Sequence, residues 1–210
     1  MSVVVVDYGS GNVHSVAKAF ERAAASVGGG LTVTVSDQAE ALADASHVVL
    51  TGVGAFSDCR RMLEARGLWR PLKRFAASGK PFLGICVGMQ LMASRGHEHG
   101  EHQGFDWVEG DVVALAANGR KVPHMGWNEL QLAEPAHPLM AGIANGEHMY
   151  FVHGYQMRCT DPRDIVATTD YGESITAVLA KDNRAGVQFH PEKSQAAGLQ
   201  FIGNFLRWQP

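Results

Sequence analysis

The chain has 210 residues, 46% of them hydrophobic and 19% charged, which fits an ordinary soluble globular protein and a single domain over 1–210. A formal charge of −3 gives no electrostatic footprint for nucleic acid, and no apolar run approaches the roughly 18 residues that span a membrane. Three widely spaced cysteines, Cys59, Cys86 and Cys159, point to reduced thiols in a cytoplasmic setting, and no signal peptide is expected ahead of Val3-Val4-Val5-Val6.

In chain order, residues 3–7 predict a buried strand, with Asp7-Tyr8-Gly9-Ser10-Gly11-Asn12 as the loop at its C-terminal end. Val13, Val16, Ala17, Phe20 and Ala24 then recur at helical spacing, and Asn12 is placed to cap that helix. Gly28-Gly29-Gly30 breaks the chain before a second strand at 31–35. Asp37 and Glu40 have capping-box spacing ahead of a short helix ending near Ala45. Residues 47–50 form a third strand, running into Thr51-Gly52-Val53-Gly54-Ala55-Phe56. Helices follow at 57–65 and 68–78, and Gly79-Lys80-Pro81 turns the chain into the apolar run 82–85.

Beyond Leu91 the character changes. Residues 95–104 read as a polar loop, and short strands are predicted at 112–114, 127–132, 149–153, 165–169, 175–180 and 185–189. An amphipathic helix at 195–206 closes the chain. Alternating strands and helices in the first half predict an α/β fold: a mostly parallel sheet with helices on both faces, extended by antiparallel strands from the second half. Ligands on such sheets bind beyond the carboxyl ends of the strands, so the loops after Asp7, Leu50 and Ile85 are expected at one end of the molecule.

The last of those loops carries the clearest chemistry. Gly84-Ile85-Cys86-Val87-Gly88 is the thiol counterpart of the Gly-x-Ser-x-Gly elbow, in which a nucleophile sits on a sharp strand-to-helix turn. Such a turn exposes the sulfur, sets it at a helix N-terminus and aims the Val87 N–H where an oxyanion forms. Taken alone, Cys86 is equally readable as one more buried small hydrophobe. A nucleophilic cysteine needs a base oriented by a third group. His190 ends an apolar strand and is followed by Pro191-Glu192, so the carboxylate is within reach of the ring; His153, at another strand end, is the competing base. His97-Glu98-His99-Gly100-Glu101-His102 matches no ordinary zinc spacing and reads as a solvated face, with no metal expected. Gly9-x-Gly11 and Gly52-x-Gly54 lack the third glycine of a dinucleotide loop, so no cofactor is expected either.

Gly84-Ile85-Cys86-Val87-Gly88-Met89-Gln90, together with Gln188-Phe189-His190-Pro191-Glu192-Lys193-Ser194, resembles the class I, triad-type glutamine amidotransferases. The loop from Asp7 to Asn12, Gly52-Val53-Gly54-Ala55-Phe56, Pro123-His124-Met125-Gly126-Trp127-Asn128 and Tyr150-Phe151-Val152-His153 narrow the resemblance. Together they are similar to the glutaminase subunits of imidazole glycerol phosphate synthase, in family order and over essentially the whole chain. The resemblance implies a flavodoxin-like sheet and a triad in which Cys86 attacks the amide of L-glutamine, His190 serves as base and then acid, and Glu192 orients it. It further implies oxyanion donors at Val87 and in the Val53-Gly54 loop after a peptide reorientation, and a substrate pocket at Gly52, Gln90, Glu98 and His153. The implied partner is a (β/α)8-barrel cyclase subunit of histidine biosynthesis, facing Asn12, Pro123, Met125, Trp127, Asn128 and Tyr150.

Trp127, in a Pro/Gly/Asn loop, suits an interface anchor, with a buried core tryptophan as the alternative. Two residues depart from the family pattern: Thr51 stands where proline is usual and Gly154 where a small hydroxyl residue is common. The competing functions are a glutaminase serving GMP, anthranilate or pyridoxal phosphate synthesis, and a non-catalytic regulatory domain. The Asp7-Tyr8-Gly9 opening and the Trp127 loop disfavour the first. An intact Cys86, His190 and Glu192 disfavours the second.

Overall fold

Val3 to Val6 are β-branched and buried on both sides, as expected of a strand inside a sheet covered by helices. The computed structural model describes residues 1–116 and 118–210. In chain order its first half comprises β1 (Ser2–Val6), α1 (Val13–Val27), β2 (Thr32–Ser36), α2 (Ala39–Asp44), β3 (His47–Gly52), α3 (Phe56–Ala65), α4 (Trp69–Ala77), β4 (Phe82–Cys86) and a single turn, α5 (Val87–Gln90). The second half adds β5 (Ala93–Gly96), β6 (His102–Gln103), β7 (Val108–Ala114), β8 (His124–Glu129), β9 (Gln131–Leu132), β10 (His148–His153) and β11 (Tyr155–Cys159). β12 (Ile165–Asp170), β13 (Ser174–Lys181), β14 (Arg184–Val187) and α6 (Gln195–Arg207) complete it.

The main sheet runs β2-β1-β3-β4-β14-β13-β12-β9. Its first five strands are parallel and the last three are added antiparallel. Helix α1 packs on α6, with Phe20 meeting Phe205 edge-on, while α2 packs on α4. Asn12 caps α1 as expected, its Oδ1 accepting from the Ser15 N–H at 3.2 Å. No helix among the described residues is long and apolar enough to cross a membrane.

The structure corrects the sequence expectations in several places. Not every second-half strand joins the main sheet: β8 and β10 form a separate antiparallel pair, and β11-β7-β5-β6 form a third sheet. The polar loop expected at 95–104 takes in the end of β5 and all of β6, because Arg95 and Gly96 find ladder partners in Gln103 and His102. Strand β11 has no counterpart among the expected strands. The capping box at Asp37 does not form; Gln38 takes the N-cap position and makes no side-chain cap, and Asp37 instead pairs with Arg66 at 3.5 Å.

Candidate active site

Register places the nucleophile candidate. Gly52 at the end of β3 lies opposite Cys86 at the end of β4, so the two loops they begin are neighbours beyond the carboxyl edge of the sheet. Cys86 turns the chain from β4 into α5 at φ 53° and ψ −112°, a conformation few side chains adopt and one that costs about 1–3 kcal/mol. The two flanking glycines make this turn possible. A Cβ on Gly84 would sit 2.5 Å from the Gly88 carbonyl oxygen, and one on Gly88 would sit 1.9 Å from that of Leu50. The elbow does not leave its sulfur on the surface, as the motif suggested. Cys86 is only 4% exposed and forms part of the wall of a cavity of about 410 Å³.

His190 and Glu192 lie behind that wall. The His190 N–H bonds to the Tyr150 carbonyl at 2.9 Å, so β10 holds the residue, and Pro191 turns the chain so that Glu192 folds back. His190 Nδ1 donates to Glu192 Oε1 at 2.8 Å, with both side chains almost fully buried. Nε2 therefore carries the free lone pair of the neutral ring, and it has no well-aligned partner among the described residues. Burial by itself lowers the His190 pKa; the neighbouring Cys86 sulfur and the Glu192 carboxylate outweigh it and push it up to about 9, so at pH 7 the ring takes up a proton from the sulfur and holds it as an imidazolium.

His153 lines the cavity but has neither ring nitrogen free. Its Nδ1 is 2.9 Å from the Tyr155 carbonyl oxygen, which can only accept, so Nδ1 carries the proton. Its Nε2 then accepts from His124 Nδ1 at 3.0 Å, and His124 Nε2 in turn accepts from Asn128 Nδ2 at 3.2 Å. Burial lowers both rings, His124 to about 4 and His153 to about 3, so the chain is neutral and directional at pH 7. It runs from Asn128, on the partly exposed β8, to the cavity wall. His153 is therefore a wall residue with spent nitrogens, not a rival base.

The glycine loop beside Cys86 is tied down. Val53 N–H donates to Ser10 Oγ at 3.1 Å, and the same hydroxyl donates to the Val53 carbonyl at 2.8 Å. Cys59 Sγ adds a weaker bond to that carbonyl at 3.4 Å. In this state the Val53 N–H is spent on Ser10.

The family profile described as glutamine amidotransferase class-I matches residues 4–207. The chain belongs to the class I glutamine amidotransferase family. Among its relatives, the imidazole glycerol phosphate synthase subunit HisH of Ruegeria pomeroyi is 51% identical and that of Rhodospirillum rubrum 50% identical, each over 100% of both chains. Solved structures share the fold. One described as a glutamine amidotransferase aligns at TM-score 0.72 with 17% identity, covering 96% of this chain and 98% of its own. Another, a glutamine amidotransferase from Thermotoga maritima, aligns at TM-score 0.64 with 16% identity, covering 99% of this chain and 83% of its own.

In this amidotransferase the cavity gathers most of the residues picked from the sequence: Val53, Gly54, Cys86, Val87, Gln90, Glu98, Pro123 and His153. Gly52, His190 and Glu192 lie outside its lining. Glu98 corrects the reading of its tract as a solvated face, because its Oε2 accepts from the Phe56 N–H at the start of α3, at 2.8 Å. His97 in the same tract pairs with Asp111 at 3.3 Å. Among the described residues no cluster of three or more His, Cys, Asp or Glu side chains is arranged to hold a metal ion. Of the residues implied to face a partner, Asn12 is exposed, and on β8, just past Pro123 in the cavity lining, Met125 and Trp127 are exposed, with Asn128 and, on the neighbouring β10, Tyr150 half-buried. Exposed apolar side chains gather on this side: Val53 is 49% exposed, Val122 55%, Met125 63% and Trp127 45%. Trp127 meets Tyr150 edge-on across the β8–β10 pair and is not a core residue.

Of the two departures, Thr51 is buried with its methyl toward Gly11, and Gly154 has room for a side chain, the nearest atom to a Cβ there being Val122 Cγ1 at 3.7 Å. Sequence reading assigned no role to Ser10 and Gln188, although both stand in the motifs that carry the resemblance, and it did not single out Tyr155. Gln188 left a signal, an amide inside the apolar run 185–189, since buried polar groups need partners. Tyr155 acts through its backbone carbonyl, which no residue code reveals.

Proposed function

We propose that the chain hydrolyses L-glutamine to glutamate and ammonia through a Cys86 thioester and hands the ammonia to a cyclase subunit making imidazole glycerol phosphate in histidine biosynthesis. The observation that carries the chemistry is the buried His190–Glu192 pair beside the Cys86 sulfur, with Nδ1 fixed by the carboxylate and Nε2 left for the sulfur's proton. Full-length identity of about half to HisH subunits supports the pathway.

Sγ attacks the carbon of the substrate carboxamide while its proton passes to His190 Nε2. The tetrahedral intermediate carries its negative charge on the former carbonyl oxygen, toward the Val87 N–H. His190 returns the proton to the amide nitrogen, the C–N bond breaks, and ammonia leaves a glutamyl thioester. Water then attacks the thioester carbon with His190 taking its proton; the C–S bond breaks, glutamate departs, and the sulfur is reprotonated. Glu192 stabilises the imidazolium in both halves. Gln90, with Glu98 at the cavity wall, holds the substrate's amino-acid end.

A second oxyanion donor is the Val53 N–H, which becomes available when it leaves Ser10. Such a donor contributes on the order of 10²–10³ in rate, so the tied loop describes a resting state. Docking of a partner on the exposed apolar side, against Met125, Trp127 and Val122, sits close enough to Pro123 and Val53 in the cavity wall to release it. Coupling of this kind prevents ammonia from being made when no acceptor is present. The 210 residues act as one amidotransferase domain, in the cytoplasm, without a cofactor.

Co-purification with the barrel cyclase, followed by glutamate release with and without the cyclase's nucleotide ligand, tests this reading. Stimulation by partner and ligand together is expected. Equal rates for the free chain and the liganded complex would refute the coupling.

A further inference from the structure

We propose that Gln188 is part of the nucleophile's machinery: its amide nitrogen donates to the Cys86 sulfur while its amide oxygen fixes which edge Gln90 turns toward the substrate. The inference deepens the glutaminase reading and rests on it.

Val187, the last residue of β14, is in register with Ile85, so Gln188 comes level with Cys86 on the neighbouring strand. Gln188 is fully buried. A primary amide there is costly unless it is hydrogen-bonded, and both of its ends are. Nε2 lies 3.6 Å from Cys86 Sγ, and Oε1 accepts from Gln90 Nε2 at 3.1 Å.

The orientation of these amides follows from one carbonyl. Tyr155 O can only accept, and Gln90 approaches it at 3.0 Å, so the approaching atom is the Gln90 nitrogen. That nitrogen also faces Gln188, whose facing atom must then be oxygen. The other end of Gln188, turned to the sulfur, is therefore the N–H donor. Both hydrogens of Gln90 Nε2 are spent, on Tyr155 O and Gln188 Oε1. Gln90 thus has its Oε1 left for a donor such as the ammonium group of an amino-acid substrate, and Gln90 lines the cavity.

The sulfur meets different groups in its two protonation states. As a thiol it points toward the Val152 carbonyl at 3.9 Å. Once the proton has moved to His190, the Gln188 N–H is a second donor to the charged sulfur. Donors to charged groups hold about twice as strongly as donors to neutral ones, so Gln188 favours the reactive form. One side chain links the nucleophile's state to the polarity of the substrate pocket.

Two substitutions separate these roles. Gln188→Met keeps the length and removes both polar ends; Gln188→Glu keeps an acceptor for Gln90 and removes the donor to the sulfur. The readout is the rate of Cys86 alkylation by iodoacetamide across pH in the full chain, followed on the Cys86 peptide by mass spectrometry. Both variants are expected to slow it about tenfold at pH 7 and to move the profile to higher pH. In complex with the cyclase, Gln188→Met is also expected to raise KM for glutamine, and Gln188→Glu to restore KM without restoring the alkylation rate. Alkylation profiles superimposable on that of the unsubstituted chain, in folded variants, would overturn the proposal.

A second measurement needs no substitution at Gln188. The Gln188 side-chain amide resonance of the unsubstituted chain should shift with pH as the sulfur ionises and lose that shift in Cys86→Ala; an amide indifferent to the sulfur would overturn the proposal where the variants fail to fold. Neither readout uses glutamine turnover. Failure of the glutaminase reading shows separately, as no glutamate release from the unsubstituted complex.

Discussion

Replacing Ser10 with alanine tests how the glycine loop is held. The Ser10 hydroxyl makes two bonds to one residue, accepting from the Val53 N–H at 3.1 Å and donating to its carbonyl at 2.8 Å. At about 1 kcal/mol net for each, the pair biases the loop toward this state by about 2 kcal/mol, or about 30-fold. Two features reduce that figure. Cys59 Sγ still reaches the carbonyl at 3.4 Å, and Val53, 49% exposed, regains water on its N–H. The glutaminase rate of the free chain is therefore expected to rise between about 5- and 30-fold in Ser10→Ala. The rate in the complex with ligand-bound cyclase should change little, because there the loop has already been released. The assay is glutamate release, with and without the partner, at saturating glutamine. A fall of both rates by the same factor would show that Ser10 supports the active loop, and the reasoning would fail.

Other outcomes follow from the same geometry. Cys86→Ala should abolish glutamine-dependent synthesis by the complex yet leave synthesis from added ammonium salt; parallel loss of both would mean that Cys86 serves the fold or the interface. Trp127→Ala, which truncates a half-exposed aromatic at the proposed interface, is expected to weaken cyclase binding by about 2 kcal/mol, roughly 30-fold in Kd by calorimetry, with the free chain's melting temperature unchanged. Stability should peak near pH 6.5. His190, raised to about 9 in the folded chain, contributes stability below its unfolded value and loses it as pH rises from 6.5 through 9. His124 and His153, lowered to about 4 and about 3, stay uncharged when folded, so stability is lost as pH falls from 6.5 through those values. Melting temperature against pH reads both limbs, and Cys86→Ala should make the alkaline one shallower, Glu192 still holding His190 up.

The parallel half of the fold was readable in the sequence because each signal there is local. The Val3–Val6 run, the helical spacing from Val13 to Ala24 and the Gly-x-Cys-x-Gly elbow each concern neighbours in the chain. The second half was less legible because its short strands are defined by their partners. Ala93 to Gly96 is a strand only through Val108 to Val112 and Gln103, and no propensity in Ser94-Arg95-Gly96 announces that. The same holds at the site. Glu192 is two residues from His190, so their pairing was foreseeable. Glu98 reaching the Phe56 N–H spans 42 residues, Gln90 reaching Gln188 spans 98, and the Ser10 bond to Val53 spans 43. Gln90 and Glu98 came from family resemblance; Ser10 and Gln188 needed coordinates. The burial of Cys86 was hidden for a related reason: the Val152 carbonyl and the Gln188 amide that reach its sulfur lie 66 and 102 residues further along the chain.

The proposed chemistry requires Cys86 to become acylated by glutamine with His190 as its proton acceptor. Rapid acid quench of the cyclase complex during turnover, followed by peptide mass spectrometry, measures this directly. A glutamyl adduct on the Cys86 peptide, formed with glutamine and greatly diminished in His190→Ala, is the expected result. Turnover with no adduct on Cys86 under any quench time, or an adduct on Cys59 or Cys159 instead, would contradict it.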